Sequence, residues 1–360
     1  MESGKWIVDS QLSIDRYPLS TIHSQLPTID IAYDTNGELN EDRSNAVIVI
    51  HALTGWSAAH EWWPGLIGEG KLLDPSKYFI ISPNLLGSCY GSTGPESVDP
   101  ATGMPYGAAF PKITIRDIAK TILQLLDILG IDRIHLAIGG SMGGMVILEM
   151  AALAPNRFHA IAPLAVSGSH SAWRIAFSAT IRKIIAAADP SLSDRVKLQE
   201  GLRLARQIAI ASYRCSAEFD ERFGRTRTSG GGDAAVHADI FEVESYLEHQ
   251  GDKIVDRFSP YSYLTLTRAM ELYDLSEGRE SLSNVARSID AHALFVGVSS
   301  DILYSRYEIE EFASLFPNGE YATLHADHGH DSFLVDTESL SKIIEPFLQK
   351  IEIEWEVLSL

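Results

Sequence analysis

The chain has 360 residues, 45% of them hydrophobic, and carries 29 Lys and Arg against 48 Asp and Glu, a formal net charge of −19. That length fits one large α/β domain with an insertion, or two domains, with ample material for a core. The excess of acid argues against nucleic acid or an anionic membrane as partner. No apolar run approaches the ~20 residues that cross a bilayer, and the opening Met1-Glu2-Ser3-Gly4-Lys5 lacks a signal peptide's basic and apolar regions, so a soluble, cytoplasmic protein is expected. Two cysteines, Cys89 and Cys215, are too few for a disulfide framework or a multi-cysteine metal site.

The first forty residues hold short alternating segments, Trp6-Ile7-Val8 and Thr28 to Tyr33, with Asn36-Gly37 as a turn signal, and predict an antiparallel edge to a sheet. The continuous apolar run Asn45 to Ile50 reads as a strand buried on both faces, opening into His51-Ala52-Leu53-Thr54-Gly55. A second such strand, Tyr78 to Pro83, leads into Asn84 to Pro95, too rich in glycine and proline for regular structure. From Thr114 to Leu129 the apolar residues Ile115, Ile118, Ile122, Leu125, Leu126 and Leu129 recur at helical spacing, and Gly130 closes that helix. The strand Ile134 to Ile138 follows, then small residues around Ser141, then a helix whose apolar face is Met145, Leu148 and Ala152. Alternating strands and helices imply a parallel sheet with right-handed crossovers.

After the strand Ile161 to Val166 the pattern changes. From about Ser171 to Glu280 helical, arginine-bearing segments replace strands, which predicts an inserted helical lid over 171–280 between core segments 1–170 and 281–360. Within it, Thr228-Ser229-Gly230-Gly231-Gly232-Asp233 reads as a flexible loop and Ser259-Pro260 as a break between helices. The sheet resumes with Ala293 to Val298, a helix through Ile309, Phe312 and Leu315, and the strand Tyr321 to Leu324. A last amphipathic helix carries Leu340, Ile343, Ile344 and Phe347.

Gly139, Ser141 and Gly143 fill G-x-S-x-G between strand and helix, the nucleophile elbow in which a strained turn lifts a serine hydroxyl above the end of a parallel sheet. Ser141 is the candidate nucleophile. Chain order then calls for an acid after a later strand and a histidine after the last one. Asp301 and His330 meet that description, and the imidazole would take the serine proton while the carboxylate fixes its tautomer. His330 is preferred to His325 and His328 because Gly329 before it and Asp331-Ser332-Phe333 after it suggest a tight loop feeding a helix; Asp327, the rival acid, has no strand to hold it. The backbone N–H groups of Met142 and Leu53 are the expected oxyanion donors, and His51 is expected to pack under the Leu53 loop. No histidine has the H-x-x-x-H spacing with an acidic ligand nearby, so no metal is expected.

Taken together, His51 to Gly55, Asn84 to Pro95, Asp99-Pro100-Ala101-Thr102-Gly103, Gly139 to Met145, Phe241-Glu242-Val243-Glu244-Ser245-Tyr246-Leu247 and Gly329-His330-Asp331 resemble homoserine O-acetyltransferase of the α/β-hydrolase type, from about residue 45 to 335. The resemblance implies an α/β-hydrolase fold: a mostly parallel central sheet, helices on both faces and the helical lid. It implies acyl transfer from acetyl-CoA, the donor substrate, to the hydroxyl of L-homoserine by ping-pong chemistry on an acyl-serine, an early step towards methionine, with no bound cofactor. It also implies a carboxylate-holding arginine in the first lid helix, which falls on Arg182, an ammonium-holding aspartate at Asp331, and a homodimer through the lid. Arginines 203, 206, 214, 222, 225 and 227 would steer a CoA diphosphate into an otherwise acidic protein. The chain departs from the family at Ser259-Pro260-Tyr261, where members often have Asp-Ala-Asn, and at Val146, commonly polar. Succinyl-CoA as donor, serine as acceptor, or plain ester hydrolysis are the competing readings of the same machinery.

Overall fold

A computed structural model describes residues 7–15, 26–228 and 240–358. Its main sheet has eight strands: β1 Ile7–Asp15, β2 Thr28–Asn36, β3 Ala46–Ile50, β4 Phe79–Pro83, β5 Ile134–Gly140, β6 Phe158–Leu164, β9 His292–Val298 and β10 Gly319–Leu324, while β7 Arg227–Thr228 and β8 Ile240–Phe241 form a separate small pair. The order across the main sheet is β1-β2-β4-β3-β5-β6-β9-β10. β1 and β2 run antiparallel to their neighbours, the edge that the alternating N-terminal segments predict, and every other pairing is parallel. Trp6 lies outside the described residues, as does most of the glycine-rich loop expected after Thr228.

Helices cover both faces, and alternation along the strands shows why. In β3, Ala46, Ile48 and Ile50 enter one core while Val47 and Val49 enter the other. The first core receives Ile118, Ile122, Leu125 and Leu126 of α2 (Ile115–Ile128) and the body of α3 (Met142–Leu153). The second receives Ala59 of the short α1 (Ala59–Trp62) and Leu340, Ile344, Phe347 and Ile351 of α12 (Thr337–Leu358). Each such Leu or Ile taken from water contributes roughly 1.5–3 kcal/mol. Helix α2 starts on a capping box, the Thr114 side chain and the Asp117 carboxylate each accepting from the other's backbone N–H.

Between β6 and β9 the chain runs through α4 (Ala172–Ala188), α5 (Arg195–Tyr213), α6 (Ser216–Arg222), α7 (Glu242–Arg257), α8 (Pro260–Glu271) and α9 (Leu282–Arg287). Helix α4 packs on α5 and α8, and α5 on α7. Ser259 caps α8 and Pro260 is its first residue, the predicted break. Ile181, Ile185, Leu198, Leu202, Tyr263 and Leu266 from these helices join the same core as α2 and α3. Helix α3, packed between the sheet and α2, is buried along nearly its whole length and is therefore apolar nearly all round. Its one acid, Glu149, is almost wholly buried and held by Arg116 (3.1 Å) and Arg279 (2.7 Å). The last helices, α10 (Arg306–Ala313) and α11 (Ser332–Val335), flank the strands that bring the C-terminal loops to the sheet rim. No helix among the described residues is long and apolar enough to cross a membrane.

Candidate active site

The G-x-S-x-G turn is built as its composition requires. Ser141 has φ 54 and ψ −119, a conformation costly for any residue with a Cβ, held between β5 and α3 by its own N–H bond to the Leu164 carbonyl (2.9 Å). The flanking glycines are obligatory because β3 runs alongside: a Cβ on Gly139 would lie 2.5 Å from the Ile50 carbonyl oxygen, and one on Gly143 would lie 2.3 Å from it. The serine does not cap α3. It lines a cavity of about 210 Å³ at the C-terminal rim of the sheet, together with Leu53, His330, Asp331 and residues of α4, α5 and α8.

His330 reaches that cavity from the turn after β10, and Asp301, in the loop after β9, lies buried behind it. His330 Nδ1–H donates to Asp301 Oδ2 at 2.6 Å, and both side chains are nearly inaccessible. The other oxygen, Oδ1, accepts from the N–H groups of Leu303 (2.7 Å) and Tyr304 (3.0 Å). A carboxylate so bonded can only accept, which places the proton on Nδ1 and leaves Nε2 as the free base. Burial alone would lower the imidazole pKa. The charge and hydrogen bond of Asp301, with help from Asp331, outweigh it and raise the value above the ordinary 6.5. The ring is also fixed sideways, lying parallel to Tyr304 (5.3 Å between centroids, 18°) and edge-on to Phe333 (5.7 Å, 85°). Among the described residues the Ser141 hydroxyl makes no hydrogen bond, to His330 or to any other group. Such contacts commonly tighten when substrate arrives.

Leu53 sits in the loop after β3 and Met142 is the first residue of α3, whose opening N–H groups have no partner within the helix. His51 lies beneath that loop, as expected. Its Nδ1–H donates to the Ala52 carbonyl (2.7 Å), its Nε2 accepts from the Leu85 N–H (3.2 Å), and burial pushes its pKa down to about 4. His325 and Asp327 are exposed, His328 lies by Glu218, and none of the three lines the cavity. Both cysteines are free thiols, and no group of three or more potential metal-ligating side chains occurs among the described residues.

Arg182 is a correction. Arg182, expected to hold the acceptor's carboxylate, does not line the Ser141 cavity: its guanidinium is forked onto Glu271 (2.7 Å from both Nε and Nη2) and it lines a different depression, beside Tyr261 and Arg268. Glu271, its side chain 2% exposed, needs that cation; Arg268 (2.8 Å) supplies a second. Burial would raise the Glu271 carboxyl, but the two arginines bring it below its ordinary value. Replacing Arg182 by methionine should therefore lower stability by about 1–2 kcal/mol, less than a fully buried broken pair because Arg182 is 26% exposed and Arg268 remains. The loss should be seen in chemical denaturation at pH 7 and should shrink as pH falls through the lowered carboxyl value, where the pair no longer contributes. Substrate affinity should not change.

The arginines that do line the cavity are Arg174, Arg206 and Arg257. Arg206 and Tyr213, two turns apart on α5, present one face to it, and among the described residues Arg206 has no carboxylate partner. That two-turn spacing was visible in the sequence; what it faced was not. Arg257 donates to the Thr54 carbonyl (2.7 Å) at the mouth, beside Trp56. The other arginines expected to steer a diphosphate do not line the cavity: Arg203 pairs with Asp252 (2.8 Å), Arg214 lies between Glu218 (3.3 Å) and the cavity residue Asp331 (3.6 Å), Arg222 lies over Phe223 and Tyr246, and Arg225 and Arg227 lie over Phe241. Two polar atoms on residues that line the cavity lack hydrogen-bond partners among the described residues: Thr267 Oγ1 and His170 Nε2. The last belongs to a histidine that burial, then the nearby Arg174, lowers to about 4.

Comparison with known proteins agrees with this architecture. Residues 45–337 match the family model described as alpha/beta hydrolase fold. The chain is 43% identical over 334 residues to a homoserine O-acetyltransferase of Chlorobaculum tepidum, covering 92% of each protein. Among solved structures it resembles a homoserine O-acetyltransferase from Bacillus anthracis (TM-score 0.85, 22% identity, 97% of this chain and 98% of that one) and, in fold as closely, esterase E22 (TM-score 0.83, 22% identity, 94% and 99%). The identity across almost the full length, on a sheet, elbow and inserted helices of this kind, shows that the chain belongs to the homoserine O-acetyltransferase family of the α/β-hydrolase fold.

Proposed function

We propose that this protein is an acyltransferase that moves the acetyl group of acetyl-CoA to the hydroxyl of L-homoserine through an acyl-Ser141 intermediate. The observation that carries the reading is that one helix-covered cavity is lined by Ser141, by the Asp301-bonded His330, by Asp331 and by Arg206, an arginine with no carboxylate partner among the described residues. Ser141 Oγ attacks the thioester carbonyl while His330 Nε2 takes its proton, and the N–H groups of Leu53 and Met142 receive the oxyanion. Collapse expels the thiolate, which recovers the proton from His330. The homoserine hydroxyl then attacks the acyl-serine, giving its proton to His330; collapse breaks the bond to Ser141 Oγ, which takes that proton back from His330, and the ester leaves. The amino acid is held by its ends: the carboxylate on Arg206, in the role expected of Arg182, and the ammonium on Asp331. The inserted helices over 171–280 serve as the lid. They keep water from the acyl-enzyme and hold the acceptor at high effective molarity, which turns hydrolase machinery into a transferase. A cavity of about 210 Å³ takes the acyl group and the amino acid and leaves the CoA nucleotide at the mouth, near Arg257 and Trp56. Trp173 and Ile175 in the first turn of α4, with Val196 and Leu204 of α5, are exposed apolar side chains that a homodimer through the lid would cover.

The test is a donor-by-acceptor matrix, acetyl- and succinyl-CoA against homoserine, serine and water, read by thiol release and product mass. Acetyl transfer to homoserine well above the rate of hydrolysis is the expected result; hydrolysis unaffected by homoserine would make the protein an esterase. Replacing Arg206 by lysine should raise the homoserine KM by roughly tenfold to a hundredfold, the loss of a forked charge-assisted contact, and change that for acetyl-CoA little. Equal effects on both would remove Arg206 from the acceptor site.

A further inference from the structure

We infer that Arg174, contributed by the first lid helix, is a positioning residue for the acid–base pair, fixing Asp301 through the Leu303 carbonyl and His330 through the Tyr304 ring. The inference rests on the reading of Ser141, His330 and Asp301 as acyl-transfer machinery. Arg174 lies in the first turn of α4, where a cation opposes the helix dipole, and its side chain is only 2% exposed. Neither helix preference nor solvation accounts for it, so its contacts must.

Those contacts lead to the site. Nη1 donates to the Leu303 carbonyl (3.1 Å) and Glu308 Oε2 (2.9 Å); Nη2 donates to Glu308 Oε1 (2.7 Å), the Ser169 carbonyl (2.7 Å) and Ser167 Oγ (3.2 Å). Leu303 and Tyr304 are the two residues whose N–H groups hold Asp301 Oδ1, so the guanidinium grips the far side of the short loop that grips the acid. The guanidinium carbon also lies 4.1 Å over the Tyr304 ring, and that ring is the one parallel to His330. One side chain of the lid thus controls both the carboxylate and the plane of the imidazole, and Glu308 on α10 anchors it to the core. A displacement of about 1 Å in either group costs about a hundredfold in rate, which is the leverage such a clamp has.

The groups facing His330 are Asp301 and Asp331 from the loops after β9 and β10, Arg174 from α4, His170 from the loop before α4, Tyr213 from α5, Tyr304, and Ser141 from the elbow. Burial aside, Asp301 and Asp331 raise the imidazole value and Arg174 opposes them. Removing the guanidinium should move the acid limb of the acylation rate to higher pH. A merely structural role would lower the folded fraction and leave that limb where it is.

The experiment measures the burst of p-nitrophenolate from p-nitrophenyl acetate against pH, normalised to acylatable Ser141 sites. In Arg174→Met, acylation per site should slow about tenfold to a hundredfold and the acid limb should rise. Arg174→Lys should not rescue it, since one ammonium cannot fork onto Glu308, reach Leu303 and cover the ring together. Tyr304→Phe, which keeps the ring, should stay within about threefold of wild type, while Tyr304→Leu should reproduce the slowing. Because Arg174→Met leaves Glu308 unpaired, Arg174→Met/Glu308→Gln keeps the test decisive if the single variant does not fold. Per-site rates within about threefold of wild type in the double variant or in Tyr304→Leu would overturn the inference while leaving the acyl-serine reading standing. A burst that survives Ser141→Ala would overturn both.

Discussion

Replacing Ser141 by alanine should abolish the acyl-enzyme and lower kcat on the order of 10⁴–10⁶-fold, as loss of the nucleophile does when it acts as a unit with its base. The reason is geometric. One cavity is lined both by Ser141 and by an imidazole whose Nδ1 is committed to Asp301, which in the proposed reading leaves Nε2 to take the serine proton. The other serines of the cavity cannot substitute, since Ser178 and Ser212 bond to the carbonyls of their own helices. The backbone strain belongs to position 141 and persists in the variant, because alanine at φ 54 is no more comfortable than serine. Folding should therefore be unaffected, and the result will be unambiguous: wild type incubated with acetyl-CoA gains the mass of one acetyl group and the variant does not. Acylation that persists in the variant would refute the assignment.

The second large effect is expected of Asp301→Asn. The amide can keep the shape of the loop but can donate to His330 Nδ1, which would turn the imidazole to the wrong tautomer, and a loss of about 10⁴-fold in kcat follows. The pH dependence supplies an independent check. In the wild type the base must be neutral to act and its pKa lies above the ordinary 6.5, so kcat/KM should fall on an acid limb above that value. Removing the carboxylate leaves burial as the dominant influence, which lowers the imidazole value, and the limb of the residual activity should move to lower pH. The same raised value has a consequence for stability. The protonated pair stabilises the fold fully below the unfolded-state value, and the contribution is lost as pH rises through the folded value, so the enzyme works where that contribution has gone. A limb unmoved in the variant would separate Asp301 from the titration of His330.

The likeness to esterase E22 is as close in fold as that to the Bacillus anthracis acetyltransferase, so architecture does not choose between hydrolysis and transfer. In the proposed reading the choice belongs to the cavity under the helices: Arg206 for the acceptor's carboxylate, and helices α4, α5 and α8 to keep water out. The clamp by Arg174 adds that the cover and the chemistry are mechanically one, since the acid's loop is held from the lid side.

Much of this was legible in the order of residues. Local signals were strong wherever backbone geometry dictates residue type: the glycines packed against Ile50 at the elbow, the helical periodicity from Thr114, the Ser259-Pro260 break between helices and the continuous apolar strands. The order serine, then acid, then histidine, each at a strand's C-terminal end, marked Asp301 and His330 as a pair because parallel strands deliver their ends to one rim, and the two do bond. Arg182 and Arg206 show where that legibility stops. Both are arginines on amphipathic lid helices and nothing in their neighbours along the chain separates them; helical spacing says which face a residue occupies and not what the face meets. Helix packing turned Arg182 onto Glu271 and Arg206 into the cavity, and brought Arg174 beneath Tyr304, by contacts spanning 89 residues in the first case and 129 at Leu303 in the last. Periodicity and turn chemistry are short-range and so could be read directly. The partner of a charged side chain is set by whichever opposite charge the packed core leaves within reach, and only the tertiary structure decides that.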